Sequence, residues 1–249
     1  MNKTYLITLS YRGTRFFGWQ SQTNIGPTVQ DELNKALKVV FKSKEVRSLG
    51  SGRTDRGVHA NALSVKIWVP FEILPQDLPR ALNTKLPEDI RVIKAAVCEE
   101  SFHPVRDTKM RSYLYLFSNL EHPSALQYDL IPNVSYDLDF KSLQECLALY
   151  KGEHDFQDFH TQGSEFDTTV KTIYEVNFQA VMETEICPSH YKIYIQGNGF
   201  LKQMVRLLVG TALDVARGKL AISQVKESLS SPKGRPIGHV AAAFGLYKL

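Results

Sequence analysis

Ser51-Gly52-Arg53-Thr54-Asp55-Arg56-Gly57-Val58-His59-Ala60 gathers two glycines, two arginines, an aspartate and a histidine into ten residues. The aspartate offers a carboxylate that can attack or take a proton. The arginines offer planar forks for phosphate and flat faces for bases. The glycines let the backbone turn sharply and let a ligand approach. Arg-Thr-Asp-x-Gly alone is also an ordinary turn, because an aspartate side chain caps nearby amides, so at this point both readings of Asp55 stand. Asp55 and His59 as metal ligands lack a third ligand at useful spacing. Cys98, Cys146 and Cys187 are far apart and have neither metal-ligand nor redox spacing. They read as three reduced, mostly buried thiols of a cytosolic protein.

The elements around this stretch form a regular series. Thr4 to Tyr11 alternates as a strand, with Tyr5, Ile7 and Leu9 on one face. Gly26-Pro27-Thr28 opens a helix with Thr28 as N-cap and Asp31 in its first turn; Val29, Leu33, Leu37 and Val40 form its apolar stripe. Val46 to Leu49 is a short strand, and the loop from Gly50 to Gly57 leads to a strand through Leu63, Val65 and Ile67. A short helix over Pro75 to Leu82 and strands over Ile90 to Ala96 and Arg111 to Phe117 follow.

Periodicity weakens around Pro123 and Pro132, which sets a domain boundary there, giving units of 1–125 and 126–249. The second half reads as a helix through Leu143, Leu147 and Tyr150, then strands over Thr172 to Met182 and His190 to Gly197. A long helix runs from about Leu201 to Arg217, with another at Ser223 to Leu229 and a short last strand. Strands joined by hairpins or single helices predict an α+β protein of two similar halves, each a mainly antiparallel sheet with helices on one face.

Composition sets outer limits. With 249 residues, 43% apolar and 22% charged, the chain is an ordinary globular protein able to bury sizeable cores. No run approaches the roughly 20 apolar residues of a membrane helix, and the N-terminus does not read as a signal peptide. A net charge of +4 permits a polyanionic partner without requiring one.

The ten-residue stretch resembles the signature Arg-Thr-Asp-x-Gly-Val-His of the TruA family of tRNA pseudouridine synthases. Four further stretches resemble the family in chain order. They are Tyr11-Arg12-Gly13-Thr14 with Gly18-Trp19-Gln20, Leu82-Asn83 with Leu86-Pro87-Glu88-Asp89-Ile90, Gly152-Glu153-His154-Asp155-Phe156, and Phe200 to Gly218 carrying Met204-Val205-Arg206. For His154 and Asp155, capping of a helix is the competing reading. The resemblance covers nearly the whole chain and implies an active-site cleft between the halves, where Asp55 is the nucleophile. It implies that Arg206 holds Asp55 ionised, and that Tyr113, in Arg111-Ser112-Tyr113-Leu114-Tyr115, stacks on the flipped uracil and helps deprotonate C5. Tyr115, on the same face, reads as mostly packing.

Pseudouridine formation breaks N1–C1′ and rejoins the base through C5, without redox change, so no metal or other cofactor is expected. Arg53 is implied to hold the RNA; Arg12, Arg15, Arg56 and Lys202, one helical turn before Arg206, are candidates for phosphate contacts, each equally readable as a solvated charge. The resemblance further implies a cytoplasmic homodimer acting on the anticodon stem-loop of tRNA, at positions 38 to 40. Two stretches depart from the family: Phe102-His103-Pro104 is followed by Val105 where arginine is usual, and Val240-Ala241-Ala242-Ala243-Phe244-Gly245-Leu246 replaces Thr-Ala-Pro-Ala-x-Gly-Leu. Competing readings are a diverged paralogue with other RNA targets, a tRNA-binding protein without catalysis, and an unrelated hydrolase using Asp55 and His59. The last lacks a nucleophile elbow, a metal set or a second placed carboxylate.

Overall fold

The computed structural model describes residues 3–161, 163 and 167–249. These fall into two compact units, the chain up to Thr108 together with Tyr247–Leu249, and Lys109–Leu246.

In the first unit, β1 (Lys3–Tyr11) lies between β3 (His59–Val69) and β4 (Ile90–Val97), antiparallel to both, and β2 (Arg47–Gly50) pairs with the far half of β3. Alternation puts Tyr5, Ile7, Leu9 and Tyr11 of β1 with Leu63, Val65 and Ile67 of β3 on one buried face. That face packs against α1 (Val29–Val40) and α2 (Leu78–Asn83) through Val29, Leu33, Leu37, Leu78 and Leu82, all 0% exposed. Each such side chain contributes about 1.5–3 kcal/mol by leaving water. Thr28 caps α1 as its type predicts, accepting from the Asp31 amide at 3.2 Å.

The opposite face is crossed by a buried charge. Lys66, on β3, is fully buried, and its Nζ donates to the carbonyls of Glu99, Glu100 and Phe102 at 2.9, 2.6 and 2.9 Å. An ammonium has three donors, and all three are taken here, so its burial leaves none unmet.

The second unit orders its sheet β5 (Arg111–Phe117), β8 (His190–Gly197), β7 (Val170–Val181), β6 (Gly152–Asp155), every neighbour antiparallel. Tyr113, Tyr115 and Phe117 of β5 and Ile193 and Ile195 of β8 are buried. Three helices complete it, α3 (Phe140–Ala148), α4 (Met204–Ala216) and α5 (Ile222–Ser230). The Tyr150 hydroxyl, just past α3, donates to the Leu208 carbonyl at 3.0 Å and ties α3 to α4. The last strand, β9 (Leu246–Lys248), gives Tyr247 and Lys248 to the first unit, where they pair parallel with His59 and Ala60. Both sheets are mainly antiparallel, as expected.

Three particulars differ from expectation. The units divide after Thr108 rather than near residue 125, because β5 pairs with β8 along all seven of its residues. Gly152–Asp155 is a strand; neither His154 nor Asp155 is the N-cap of the single 3-10 turn that follows, which is Phe156, although Asp155 Oδ1 accepts the Gln157 amide at 3.0 Å. Helix α4 starts at Met204, because Gln203 takes a left-handed φ of 58°. Lys202 therefore precedes the helix and is not one turn before Arg206 on it.

Candidate active site

The loop from Ser51 to Val58 leaves β2 and returns into β3. The Val58 amide donates to the Asp55 carbonyl at 3.1 Å, closing a four-residue turn. Gly57 is its third residue, with φ of 81°, a conformation that disfavours side chains. The Asp55 side chain is half-buried at this turn, and Arg53 and Arg56 are exposed beside it.

The segment Tyr11 to Trp19 wraps this turn from behind. The Tyr11 hydroxyl shares a hydrogen with Thr54 Oγ1 at 2.8 Å. The Gly13 amide donates to His59 Nδ1 at 3.0 Å, the Trp19 amide to the Thr54 carbonyl at 3.2 Å, and the Gly57 amide to the Phe16 carbonyl at 3.3 Å. The two backbones meet without room for side chains. A Cβ on Gly13 would sit 1.9 Å from the Val58 carbonyl oxygen, and one on Gly18 would sit 2.5 Å from that of Thr54. Trp19 is buried under the loop's entry, so close that a Cβ on Gly50 would meet its indole at 2.8 Å. The Tyr-x-Gly-Thr and Gly-Trp-Gln stretches are thus the mould of the Asp55 turn.

His59 has a structural role. It is 1% exposed, its ring stacks on Tyr247 with centroids 4.7 Å apart, and its Nδ1 accepts a backbone hydrogen. That occupied acceptor argues against the hydrolase reading. Among the described residues no group of three His, Cys, Asp or Glu side chains could hold a metal ion. Cys146 is buried, Cys98 and Cys187 are half-buried, and none forms a disulfide.

The expected phosphate contacts have mixed environments. Arg56 lies over the Phe17 ring at 4.2 Å, which fixes its guanidinium plane. Arg15 pairs with Asp89 at 3.1 Å, yet stays 73% exposed. The Arg12 amide donates to the Asp89 carbonyl at 2.9 Å, and its side chain is exposed. Asn83, from the Leu-Asn stretch, exchanges two side-chain hydrogen bonds with the Val92 backbone and acts as a substitute strand edge. Lys202 in the second unit is exposed, its carbonyl accepting the Thr161 amide at 3.2 Å. Beside the departure at Val105, His103 Nδ1 accepts the amides of Val105 and Arg106 at 3.3 Å, and Arg106 is exposed.

The second unit holds Tyr113 and Arg206. Tyr113 is 9% exposed and meets Phe200 edge-on, centroids 5.2 Å apart and planes at 88°. Every residue of α4 is buried except Arg206, which is half-exposed. Its Nε donates to the Ala241 carbonyl at 2.7 Å, while the Ala241 amide donates to the Arg206 carbonyl at 3.1 Å. Burial raises the Tyr115 phenol far above the usual range, against the opposing pull of the Arg206 charge and the Ala242 backbone. The departed stretch after Val240 thus fastens Arg206 through backbone groups, which any residue carries except a proline amide.

Two buried carboxylates nearby were not singled out from sequence. Asp158, 2% exposed, accepts the amides of Lys233, Gly234 and Arg235. Asp214, 3% exposed, accepts Arg217 Nε and Nη2 at 2.9 and 2.5 Å and the His239 amide at 3.1 Å, with His239 Nδ1 at 3.0 Å. A visible signal existed for Asp214, the one carboxylate in a mostly apolar helix. Burial alone would raise its carboxyl; the His239 and Arg217 contacts outweigh that and hold it below the usual range. A carboxyl depressed by folding stabilises above its unfolded value, about 3.9, and the benefit fades as pH falls through the lower folded value. Thermal melts from pH 6 down to 2 should therefore lose stability below about pH 4, and less steeply for Asp214→Asn.

The first unit holds a carboxylate on a moulded turn with arginines beside it; the second, taken by itself, holds a tyrosine and an arginine on a buried scaffold. The chain belongs to the tRNA pseudouridine synthase family, whose profile matches residues 7–106 and 147–249. It is 39% identical to tRNA pseudouridine synthase A 2 of Clostridium perfringens over 240 residues, 96% of this chain and 95% of that protein. It is 37% identical to tRNA pseudouridine synthase A of Acetivibrio thermocellus, over 97% of this chain and 96% of that protein. The enzyme of that name from Bacillus subtilis is 36% identical over 96% of this chain and 95% of its own. No helix of the described residues is long and apolar enough to cross a membrane.

Proposed function

We propose that the chain isomerises uridine to pseudouridine in the anticodon stem-loop of tRNA, at positions 38 to 40, with Asp55 as nucleophile. The observation that carries this reading is the mould around the Asp55 turn. Two glycines and a tyrosine from a distant segment fix its backbone, while the carboxylate itself stays half-exposed. A turn that only reversed the chain would need no such mould.

In this reading the Asp55 carboxylate attacks the flipped uridine as N1–C1′ breaks. The freed uracil turns, C5 bonds to C1′ as the Asp55–C1′ bond breaks and the carboxylate is released, the C5 proton leaves to a base, and N1 gains a proton. No electrons are exchanged with an outside group. Arg206 keeps Asp55 ionised in a water-poor site, where burial alone would favour its neutral form. Tyr113 stacks on the base, and its oxygen helps to deprotonate C5. Arg53 holds the RNA, with Arg12, Arg15, Arg56 and Lys202 meeting phosphates; unstacking the base costs a few kcal/mol, which these contacts offset. The protein works in the cytoplasm as a homodimer, each tRNA touching both subunits.

Incubation with tRNA tritiated at uridine C5, followed by mapping of pseudouridine, tests the reading. Release of tritium with the product at positions 38 to 40 is expected. Product only elsewhere would favour a paralogue with other targets, and no release from any tRNA would favour a binding protein without catalysis. Tyr113→Phe keeps the edge-on contact with Phe200 and removes only the hydroxyl. It should lower kcat by about 10²- to 10⁴-fold, the usual worth of a positioned acid or base, with KM little changed. An unchanged kcat would remove Tyr113 from proton transfer.

A further inference from the structure

The segment Gly238–Ala242 lies against α4 at closer range than ordinary packing allows. A Cβ on Gly210 would meet the His239 carbonyl oxygen at 1.8 Å, and one on Gly238 would meet Thr211 Oγ1 at 2.3 Å. One end of this strap is held by Asp214, through the His239 amide and imidazole. The other end is the pair of bonds between Ala241 and Arg206. Asp214 is itself anchored by the two-pronged contact of Arg217, whose guanidinium lies over the Tyr136 ring at 4.5 Å. A buried carboxylate held on both oxygens is a rigid fixing point, and with only Val240 between His239 and Ala241 the strap has little slack.

We propose that Asp214 is a positioning residue for pseudouridine formation, acting through His239 and the 238–242 strap to set the Arg206 guanidinium. The inference rests on the reading that Arg206 serves the catalytic step. The Ala241 carbonyl takes the Nε hydrogen of Arg206 and so fixes the plane of the guanidinium; its terminal nitrogens point where that plane directs them. If the strap shifts, the plane shifts with it. A misplacement of about 1 Å at a reacting centre can cost about 10²-fold in rate.

The test measures kcat and KM for tRNA, with thermal melts, in Asp214→Asn, His239→Ala, Arg206→Lys and the double variant Asp214→Asn/Arg206→Lys. Asp158→Asn is the control, a buried carboxylate of the same unit whose hydrogen bonds go to the amides of Lys233, Gly234 and Arg235 and not to the strap or α4. Asp214→Asn is expected to lower kcat about 10-fold or more with KM little changed, and to add little when Arg206 is already lysine. His239→Ala, which spares the carboxylate and its Arg217 contact, is expected to lower kcat in the same sense by a smaller factor, and keeps the inference testable if Asp214→Asn does not fold. Asp158→Asn should lower the melting temperature and leave the kcat of the folded protein unchanged. An equal fall in kcat for Asp158→Asn, or losses that multiply in the double variant, would overturn the inference and leave Asp214 as a stabilising residue. If Arg206→Lys itself leaves kcat unchanged, the reading of Arg206 fails, whatever Asp214→Asn does.

Discussion

Asp55→Asn should abolish tritium release from uridine-labelled tRNA, lowering kcat by about 10⁴-fold or more, roughly 5.5 kcal/mol of lost transition-state stabilisation. The change should leave the fold untouched. The Asp55 turn is closed by the residue's backbone carbonyl, which the substitution keeps, and an asparagine side chain fills the same half-buried place. An amide has the same shape as the carboxylate but neither its charge nor its nucleophilicity. Melting temperature and tRNA affinity should therefore stay near those of the parent while turnover disappears. Turnover that survives Asp55→Asn would remove this carboxylate from the chemistry.

The second large effect is expected at Gly13→Ala, a residue that is not proposed to touch substrate. Its new methyl carbon would lie 1.9 Å from the Val58 carbonyl oxygen and 2.5 Å from the carbonyl carbon, so one of the two backbones must move. Overpacking of this kind costs about 1–3 kcal/mol, and about 2–4 °C of melting temperature accompanies each kcal/mol in a chain of this size. Val58 closes the Asp55 turn, and Gly13 also donates to His59. Any retreat of Val58 is passed to the Asp55 carboxylate, so in the proposed reading kcat should fall about 10²-fold, beyond what the fraction folded explains. Circular dichroism melts with single-turnover rates check both parts. A lower melting temperature with an unaltered single-turnover rate would separate the mould from the chemistry.

Much of this was legible in the chain because period and capping carry local information. The alternation of β1, the stripe of α1 and its Thr28 cap, and the run of β5 appear where spacing places them. The resemblance carried more for the site, since Gly13, Gly18 and Trp19 are explained only by contacts with residues some 40 positions away. What stayed hidden has a common cause. The strand Gly152–Asp155 is too short to show a period and is defined by its partner β7. The start of α4 depends on one left-handed residue, Gln203, that no propensity marks. The roles of Lys66, Asp158 and Asp214 depend on backbone groups brought from far along the chain, and Asp158 gives no local hint of carrying four hydrogen bonds. Tyr115 shows the same limit. It reads as packing, and it is packed, yet its phenol also feels the charge of Arg206.

Helix α4 is enclosed at every position but Arg206. Amide hydrogens of such a helix exchange with solvent only when the surrounding unit opens, so α4 belongs to the slowest-exchanging part of the protein. Arg206 thus stands on the least mobile backbone the second unit offers. A charge mounted there is already oriented before substrate arrives, and little reorganisation is left to the moment of reaction. Evolution of new RNA targets would then be free to alter exposed residues such as Arg12, Arg53 and Lys202, while the mounting of Arg206 tolerates almost no change.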